Sequence, residues 1–345
     1  MATCLPLELH HRIVSNITPS LRWDETTPIE TWRQVCREKL WELLGMDEMV
    51  ACEPILTMDA EDEIDGNRHI HFTLHTEEGY YTHCDLLLPK EQVGKLPLCL
   101  CLQGHTRGSH ISLGVARYPG EDKSRFVKDD DFCVRAVQEG FAAVAVEQRS
   151  FGRCGEQGSG CLPTQMAGFL LGRTIIGERV WDVMRVVDAI EAHFSDIITM
   201  EGSVIMGNSG GGTATYYAAC LEDRFDGYMP SCALGTFRGH LTGMMNCPCN
   251  YIPHIAKYFD MGDLAVMIAP KKLVLVCAEV DQYYPKEGML ETVAVIRNIY
   301  EKIGAGENCA HVLCNDGHRF YADEAWPVMH RMLGQSLPAE LPEQK

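Results

Sequence analysis

Ser209 stands at the centre of Gly207-Asn208-Ser209-Gly210-Gly211, a G-x-S-x-G pentapeptide. The run Ser203-Val204-Ile205-Met206 enters it as a short strand. A small-residue helical segment with Ala214, Tyr216, Tyr217, Ala218 and Ala219 leaves it. A nucleophilic serine needs that context: the sharp turn lifts the hydroxyl above the sheet edge, and Gly207 and Gly211 let the two backbones approach closely. The rival reading is a glycine-rich β-to-α turn that serves packing or cradles a phosphate. Neither G-x-G-x-x-G nor G-x-x-x-x-G-K-[ST] can be read here.

A serine alone is a poor nucleophile, so a base and an orienting acid must follow it. With this type of turn they come in the order acid, then histidine, each after a later strand. Lys272–Ala278 is a β-rich apolar run followed by Asp281, and Ala310–Cys314 is a second one followed by His318. Both residues therefore fall in post-strand loops at the end of the sheet that carries Ser209. Glu279 is the rival acid but lies nearer the strand end, and His311 is the rival base but lies within the strand. Asp316 and Glu147 are the next acids in line.

Pro97–Leu102 reads as a buried strand, and Gln103-Gly104-His105 follows it. The backbone N–H groups of His105 and Gly210 are the expected donors to a tetrahedral oxyanion. With Val146–Gly152, Gly177–Asp182 and Ala269–Leu273, these segments make the chain resemble α/β-hydrolases of the dienelactone hydrolase and acetyl xylan esterase type over about residues 70–335. Gln103 replaces the histidine usual before Gly104 in such esterases, and Glu147 and Ser150 stand where relatives often have Asp and Gly. The resemblance implies cofactor-free hydrolysis of carboxylic esters, often deacetylation of sugars. Lactone, thioester or amide hydrolysis with the same residues is the alternative within enzymes. A catalytically silent binding module is the alternative outside them.

The elements that must position these residues are legible as an alternation. Strands at 97–102, 142–147, 203–206, 227–233, 272–278 and 309–314 interleave with helices near 126–139, 178–195, 211–221, 286–303 and 322–334. That predicts an α/β fold with a mostly parallel central sheet covered on both faces. His69–His75 alternates as an edge strand, with Gly79–Pro89 as its antiparallel hairpin partner. Upstream, Thr27-Pro28-Ile29-Glu30 reads as a capping box and Gly45 as a stop for a helix with an Ile29, Trp32, Cys36, Leu40, Leu43, Leu44 stripe. The acidic stretch Asp59–Gly66 reads as a loop. The expected organisation is a helical extension over 1–66 packed on the core, a catalytic domain over 67–337, and a frayed tail over 338–345.

Three long connections, 105–125, 148–176 and 234–271, leave strand carboxyl ends, where ligands bind in such sheets. Gln103, Arg149, Met244, Tyr251 and Tyr283 are the expected pocket residues. His69, His71 and His75 share one strand face at period two, which could hold a metal; the expected reading is a polar solvated surface. Cys247-Pro248-Cys249 has one-residue spacing and only His254 as a complement, so no metal and no cofactor are expected. The 16 cysteines include several that alternate with Leu and Val inside strands, which reads as free, small hydrophobes in a reducing cytoplasm. A net charge of −18 argues against nucleic acid and anionic membranes as partners. The chain shows no 18-residue apolar run, and its first residues lack a signal-peptide pattern. The expected partner is a small-molecule or oligosaccharide ester; a homo-oligomer is left open.

Overall fold

The computed structural model describes residues 5–155 and 160–336; the tail expected to fray, 338–345, lies outside them. Strands β1 (Leu56–Ile64), β2 (Asn67–Glu77), β3 (Tyr80–Leu88), β4 (Leu96–Leu102), β5 (Ala142–Val146), β6 (Ile198–Asn208), β7 (Gly227–Ser231), β8 (Lys272–Ala278) and β9 (Cys309–Cys314) form one sheet. Helices α1 (Pro6–Asn16), α2 (Ile29–Leu44), α3 (Phe132–Gln138), α4 (Leu162–Leu170), α5 (Ile175–His193), α6 (Gly210–Leu221), α7 (Ala265–Ile268), α8 (Lys286–Lys302) and α9 (Ala322–Leu333) surround it. The strand order is β1-β2-β3-β5-β4-β6-β7-β8-β9. From β5 to β9 neighbouring strands are parallel, and β1, β2 and β3 join β5 antiparallel.

Period-two alternation sorts the side chains of the central strands onto two faces. Leu98, Leu100 and Leu102 of β4, with Leu273, Leu275 and Cys277 of β8, join the apolar layer that includes α2, α5, α6 and α7. Cys99 and Cys101, with Val274 and Val276, join the layer under α3 and α9. The order reverses at β4, whose neighbours are β5 on one side and β6 on the other. A crevice opens there at the carboxyl ends of the strands.

Several expectations need correction. Of the stretch 59–66 read as a loop, residues 59–64 belong to β1 at the sheet edge and only Asp65 and Gly66 form the turn, so β2 is an inner strand paired on both sides. The acidic residues escape burial because β1 is exposed along most of its length. Nor is the histidine face of β2 solvated: the His69 and His71 rings each meet the Asp85 carboxylate at 2.9 Å, and His69 also meets Asp62 at 2.7 Å. His75 stacks on Tyr81 at 4.4 Å. At the start of α2 the capping residue is Pro28, which has no side-chain oxygen, so the expected capping box does not form; Gly45 does stop the helix, at φ 74°. Among the described residues the cysteines are free thiols, and no helix is long and apolar enough to cross a membrane.

Glycines set how closely α6 seats on the sheet. A Cβ on Gly211 would lie 1.9 Å from the Leu102 carbonyl oxygen, and one on Gly207 would lie 2.5 Å from the Gly211 carbonyl carbon. Both obstacles are backbone, which cannot rotate away. Gly211→Ala is therefore expected to leave little folded protein, beyond the roughly 1–3 kcal/mol of ordinary overpacking. Gly66→Ala, at φ 81° with nothing within 4 Å of the new methyl, is expected to cost about 1 kcal/mol from backbone strain alone. Urea unfolding of both variants checks this, and equal midpoints would refute it.

Candidate active site

Each candidate side chain is delivered by the carboxyl end of a parallel strand. Ser209 follows β6 and serves as N-cap of α6 at φ 57°, ψ −122°, a backbone state a non-glycine residue holds only under constraint. Its N–H donates to the Ser231 carbonyl after β7 at 2.9 Å, and its own carbonyl accepts the Thr213 N–H at 2.8 Å. The turn is thus tied to the neighbouring strand on one side and to the helix on the other.

Asp281 follows β8 and His318 follows β9. The His318 Nδ1–H donates to Asp281 Oδ2 at 2.8 Å, while Asp281 Oδ1 accepts the N–H groups of Tyr283 at 2.8 Å and Tyr284 at 3.2 Å. The side chains are 10% and 1% exposed, respectively, so the pair is shielded from water. A carboxylate on Nδ1 selects the tautomer whose Nε2 lone pair is available. That Nε2 is buried and has no hydrogen-bond partner among the described residues. Tyr283 packs edge-on against the His318 ring at 4.8 Å, and Tyr284 lies parallel to it at 6.1 Å. His240 stacks on Tyr284 at 4.0 Å. Its burial, reinforced by His318 and only partly opposed by Asp281, lowers its imidazole to about 4, which keeps the outer ring of this stack neutral.

Ser209 and His318 line one cavity of about 410 Å³ with Gln103, Gly104 and His105. Gly104 makes the approach of this loop to the serine turn feasible: a Cβ there would lie 2.8 Å from the Asn208 carbonyl oxygen. Gly210, first residue of α6, faces the His105 ring, since a Cβ on it would lie 2.9 Å from both Cε1 and Nδ1. The two expected oxyanion donors therefore belong to adjoining segments. Helix geometry leaves the Gly210 N–H without an intrahelical acceptor.

The expected pocket is corrected in part. Gln103 and Tyr283 line the cavity, although the Gln103 amide is committed to Ser112 Oγ at 2.9 Å and the Asp130 carbonyl at 2.6 Å. Arg149 does not line it. Its guanidinium is buried against Asp182 at 2.9 Å and Glu77 at 2.7 Å, over the Tyr80 ring. Met245 lines the cavity where Met244 was expected. Tyr251 turns its hydroxyl to the Leu241 carbonyl at 2.8 Å. The rivals are also placed. Glu279 pairs with Lys286, His311 sits within β9 opposite Leu275, Asp316 pairs with Arg319 at 3.1 Å, and Glu147 is buried beneath the Ser109 N–H at 3.0 Å.

Sequence reasoning missed Asn208, Asn246, Asn250, Gln282 and Asp130, which give the cavity a polar lining. Asp130 is 6% exposed. Burial, with Asp131 and Asp129 adding like charge, raises its carboxyl to about 7. The run Asp129-Asp130-Asp131 was the available signal, because three adjacent carboxylates cannot all stay cheaply ionised once one is buried.

Two variants probe this geometry. The folded Asp130 carboxyl titrates above its unfolded value of 3.8. Its contribution is full below that value and is lost as pH rises through about 7. Asp130→Asn is thus expected to match the parent in urea stability near about pH 4 and exceed it near about pH 8; a pH-independent difference would refute the shift. Asp281→Asn favours the wrong imidazole tautomer and is expected to slow any reaction using His318 as base by roughly 10⁴, while Glu279→Gln stays near the parent rate. The reverse ranking in kcat would move the acid to Glu279.

No family model matches the chain. It is 23% identical to "Putative hydrolase YtaP" of Bacillus subtilis (strain 168) over 291 residues, 82% of this chain and 92% of that protein. Among solved structures it is similar to a "putative acetyl xylan esterase" from Bacteroides fragilis, with TM-score 0.76 and 15% identity over 99% of this chain and 92% of the other. A glucuronoyl esterase from Solibacter usitatus gives 0.65 and 14% over 93% and 98%. Acetyl xylan esterase 1 from a Thermoanaerobacterium species gives 0.59 and 14% over 89% and 99%. At these identities the likeness is one of architecture. The strand order, the strained serine turn between β6 and α6 and these similarities together identify the fold of this chain as that of the α/β-hydrolases.

Proposed function

We propose that this chain is a serine carboxylic-ester hydrolase acting on short acyl esters carried by sugars. The observation that carries the reading is the Asp281–His318 pair, whose imidazole keeps an unpartnered Nε2 and lines the same cavity as Ser209. In the first half-reaction Ser209 Oγ attacks the ester carbonyl as its proton passes to His318 Nε2. Asp281 stabilises the imidazolium formed. The N–H groups of His105 and Gly210 receive the oxyanion, each worth on the order of 3 kcal/mol in the transition state. The C–O bond then breaks, and the leaving alcohol takes the proton from His318. Water, deprotonated by the same nitrogen, releases the carboxylic acid from Ser209.

The cavity supports the substrate class. Its volume of about 410 Å³ suits a small ligand. Its amides and Asp130 offer hydrogen bonds to hydroxyl groups, and among the described residues no lysine or arginine lines it, which favours a neutral polyol over an anionic alcohol. The names of the structural neighbours, which include acetyl xylan esterases and glucuronoyl esterases, support carbohydrate esters in the same way. Acetylated xylo-oligosaccharides are the first substrates to try.

Ser209→Ala is expected to keep the fold and lose esterase activity by several orders of magnitude, together with labelling by a fluorophosphonate probe. A variant keeping a tenth of the parent kcat/KM would reject Ser209 as nucleophile, and an unlabelled, inactive parent would favour a binding module. Across p-nitrophenyl esters, acetyl is expected to outpace octanoyl. The opposite order would point to a lipid-facing pocket and sink the sugar deacetylase reading.

A further inference from the structure

Cys247 and Cys249 do not depend on His254 for company. His105 from the β4–α3 connection and Cys161, just before α4, close on them, so that one nitrogen and three sulfurs all lie within 4.8 Å of one another. Cys249 Sγ is 3.3 Å from Cys247 Sγ and 3.4 Å from His105 Nε2, and Cys161 Sγ is 3.9 Å from that same nitrogen. We propose that His105, Cys161, Cys247 and Cys249 form a tetrahedral site for a divalent zinc-class ion.

The two sulfur–nitrogen distances, 3.4 and 3.9 Å, bracket the edge of such a site, and the Cys247–Cys249 distance of 3.3 Å is shorter than its ideal sulfur–sulfur edge. Bonds of about 2.3 Å to sulfur and about 2.0 Å to nitrogen imply edges of roughly 3.8 Å between sulfurs and roughly 3.5 Å between sulfur and nitrogen. Thiolate and imidazole ligands in this shape suit zinc, whereas calcium and magnesium want oxygen. Plain packing of small hydrophobes accounts for Cys99 and Cys101, which lie in the apolar layer under α3. Cys161 and Cys249 also sit in an apolar cluster with Phe151 and Ile175, but that packing does not account for an imidazole nitrogen set within 4.8 Å of three sulfurs.

Charge supplies an independent indication. Arg179 is 1% exposed, and among the described residues it makes no ion pair with a carboxylate. Its Nε and Nη2 donate to the Arg149 carbonyl at 3.1 and 2.9 Å, Nη2 also points to Cys161 Sγ at 3.8 Å, and Nη1 has no partner. A buried guanidinium without a counter-ion is costly, and the Phe151 ring beneath it at 3.9 Å offsets that cost only in part. Three thiolates around a divalent cation carry one net negative charge and would offset it. Binding displaces the three thiol protons to solvent and leaves the His105 proton on Nδ1, the atom facing Gly210.

With four protein ligands the site is closed, so the ion is a clamp rather than a Lewis acid for the ester. It ties together three connections that converge at strand carboxyl ends and fixes the residue whose N–H is the oxyanion donor, a consequence that rests on the hydrolase reading. Metal content does not.

The test uses the full chain, reduced, loaded with zinc and desalted. Native mass spectrometry and elemental analysis are expected to find one zinc per chain. Cobalt exchange is expected to give thiolate-to-metal charge transfer and the visible bands of a tetrahedral site. Cys161→Ser and Cys249→Ser are expected to lose the metal, and Cys314→Ser to keep it. If the site variants fail to fold, the parent itself decides: a mercurial thiol reagent should release one zinc to a chromogenic chelator. A parent that takes up no zinc, or site variants that bind it as the parent does, would overturn the proposal. Stripping the metal is expected to lower kcat more than it changes KM, with recovery on adding zinc. A zinc-loaded parent without esterase activity would leave the site standing and sink the hydrolase reading instead.

Discussion

No side chain fits between the end of β4 and the first turn of α6. The Leu102 carbonyl, Gly104, Gly207 and Gly211 meet backbone to backbone, and this contact sets the height of Ser209 above the sheet and its distance from the 103–105 loop. The strained φ of Ser209 follows from it, since a chain leaving β6 into a helix seated so low must reverse within one residue. The strain is held by the hydrogen bonds to Ser231 and Thr213 on either side and by the burial of α6 from Gly210 to Cys220.

The residues around that contact are held by charge as well as by packing. Arg149, Glu77, Glu178 and Asp182, all buried, form with the half-buried Arg173 an ionic network behind the site. Burial alone would raise the Glu77 carboxyl, but Arg173, the Val50 N–H and Arg149 hold it down at about 2. Such a network adds little net stability compared with apolar packing of the same volume, and breaking one member leaves a buried charge unpaired. Its geometric effect is larger: Arg149 immobilises the chain just after β5, and its carbonyl in turn anchors Arg179.

The central strands were legible because an apolar run of five to seven residues between turn residues is too short for a typical helix and buries its side chains best as a strand. Ser209, Asp281 and His318 were legible because each follows such a run. Strand β1 was not, since an exposed edge gives no apolar period and Asp59–Glu63 looks like any solvated loop. Arg149 was misread for a related reason: a polar residue after a strand faces the ligand crevice or the ion pairs beneath it, and only the positions of Asp182 and Glu77 decide. Met244 and Met245 differ by one step in a connection without regular period. The partners of Cys247 and Cys249 come from residues 105 and 161, separations at which spacing carries no information.

Among the described residues strand β1 pairs with β2 alone and so forms one edge of the sheet. Such an edge is a template for a second copy of the same strand. Here it carries Asp59, Glu61, Asp62 and Glu63 within nine residues and is bent by an irregular register between Met58 and Ala60. Two such edges brought side by side would juxtapose like charges on a poorly matched ladder. The acidity that hid this strand from pattern reading thus also guards the molecule against growing into an extended sheet.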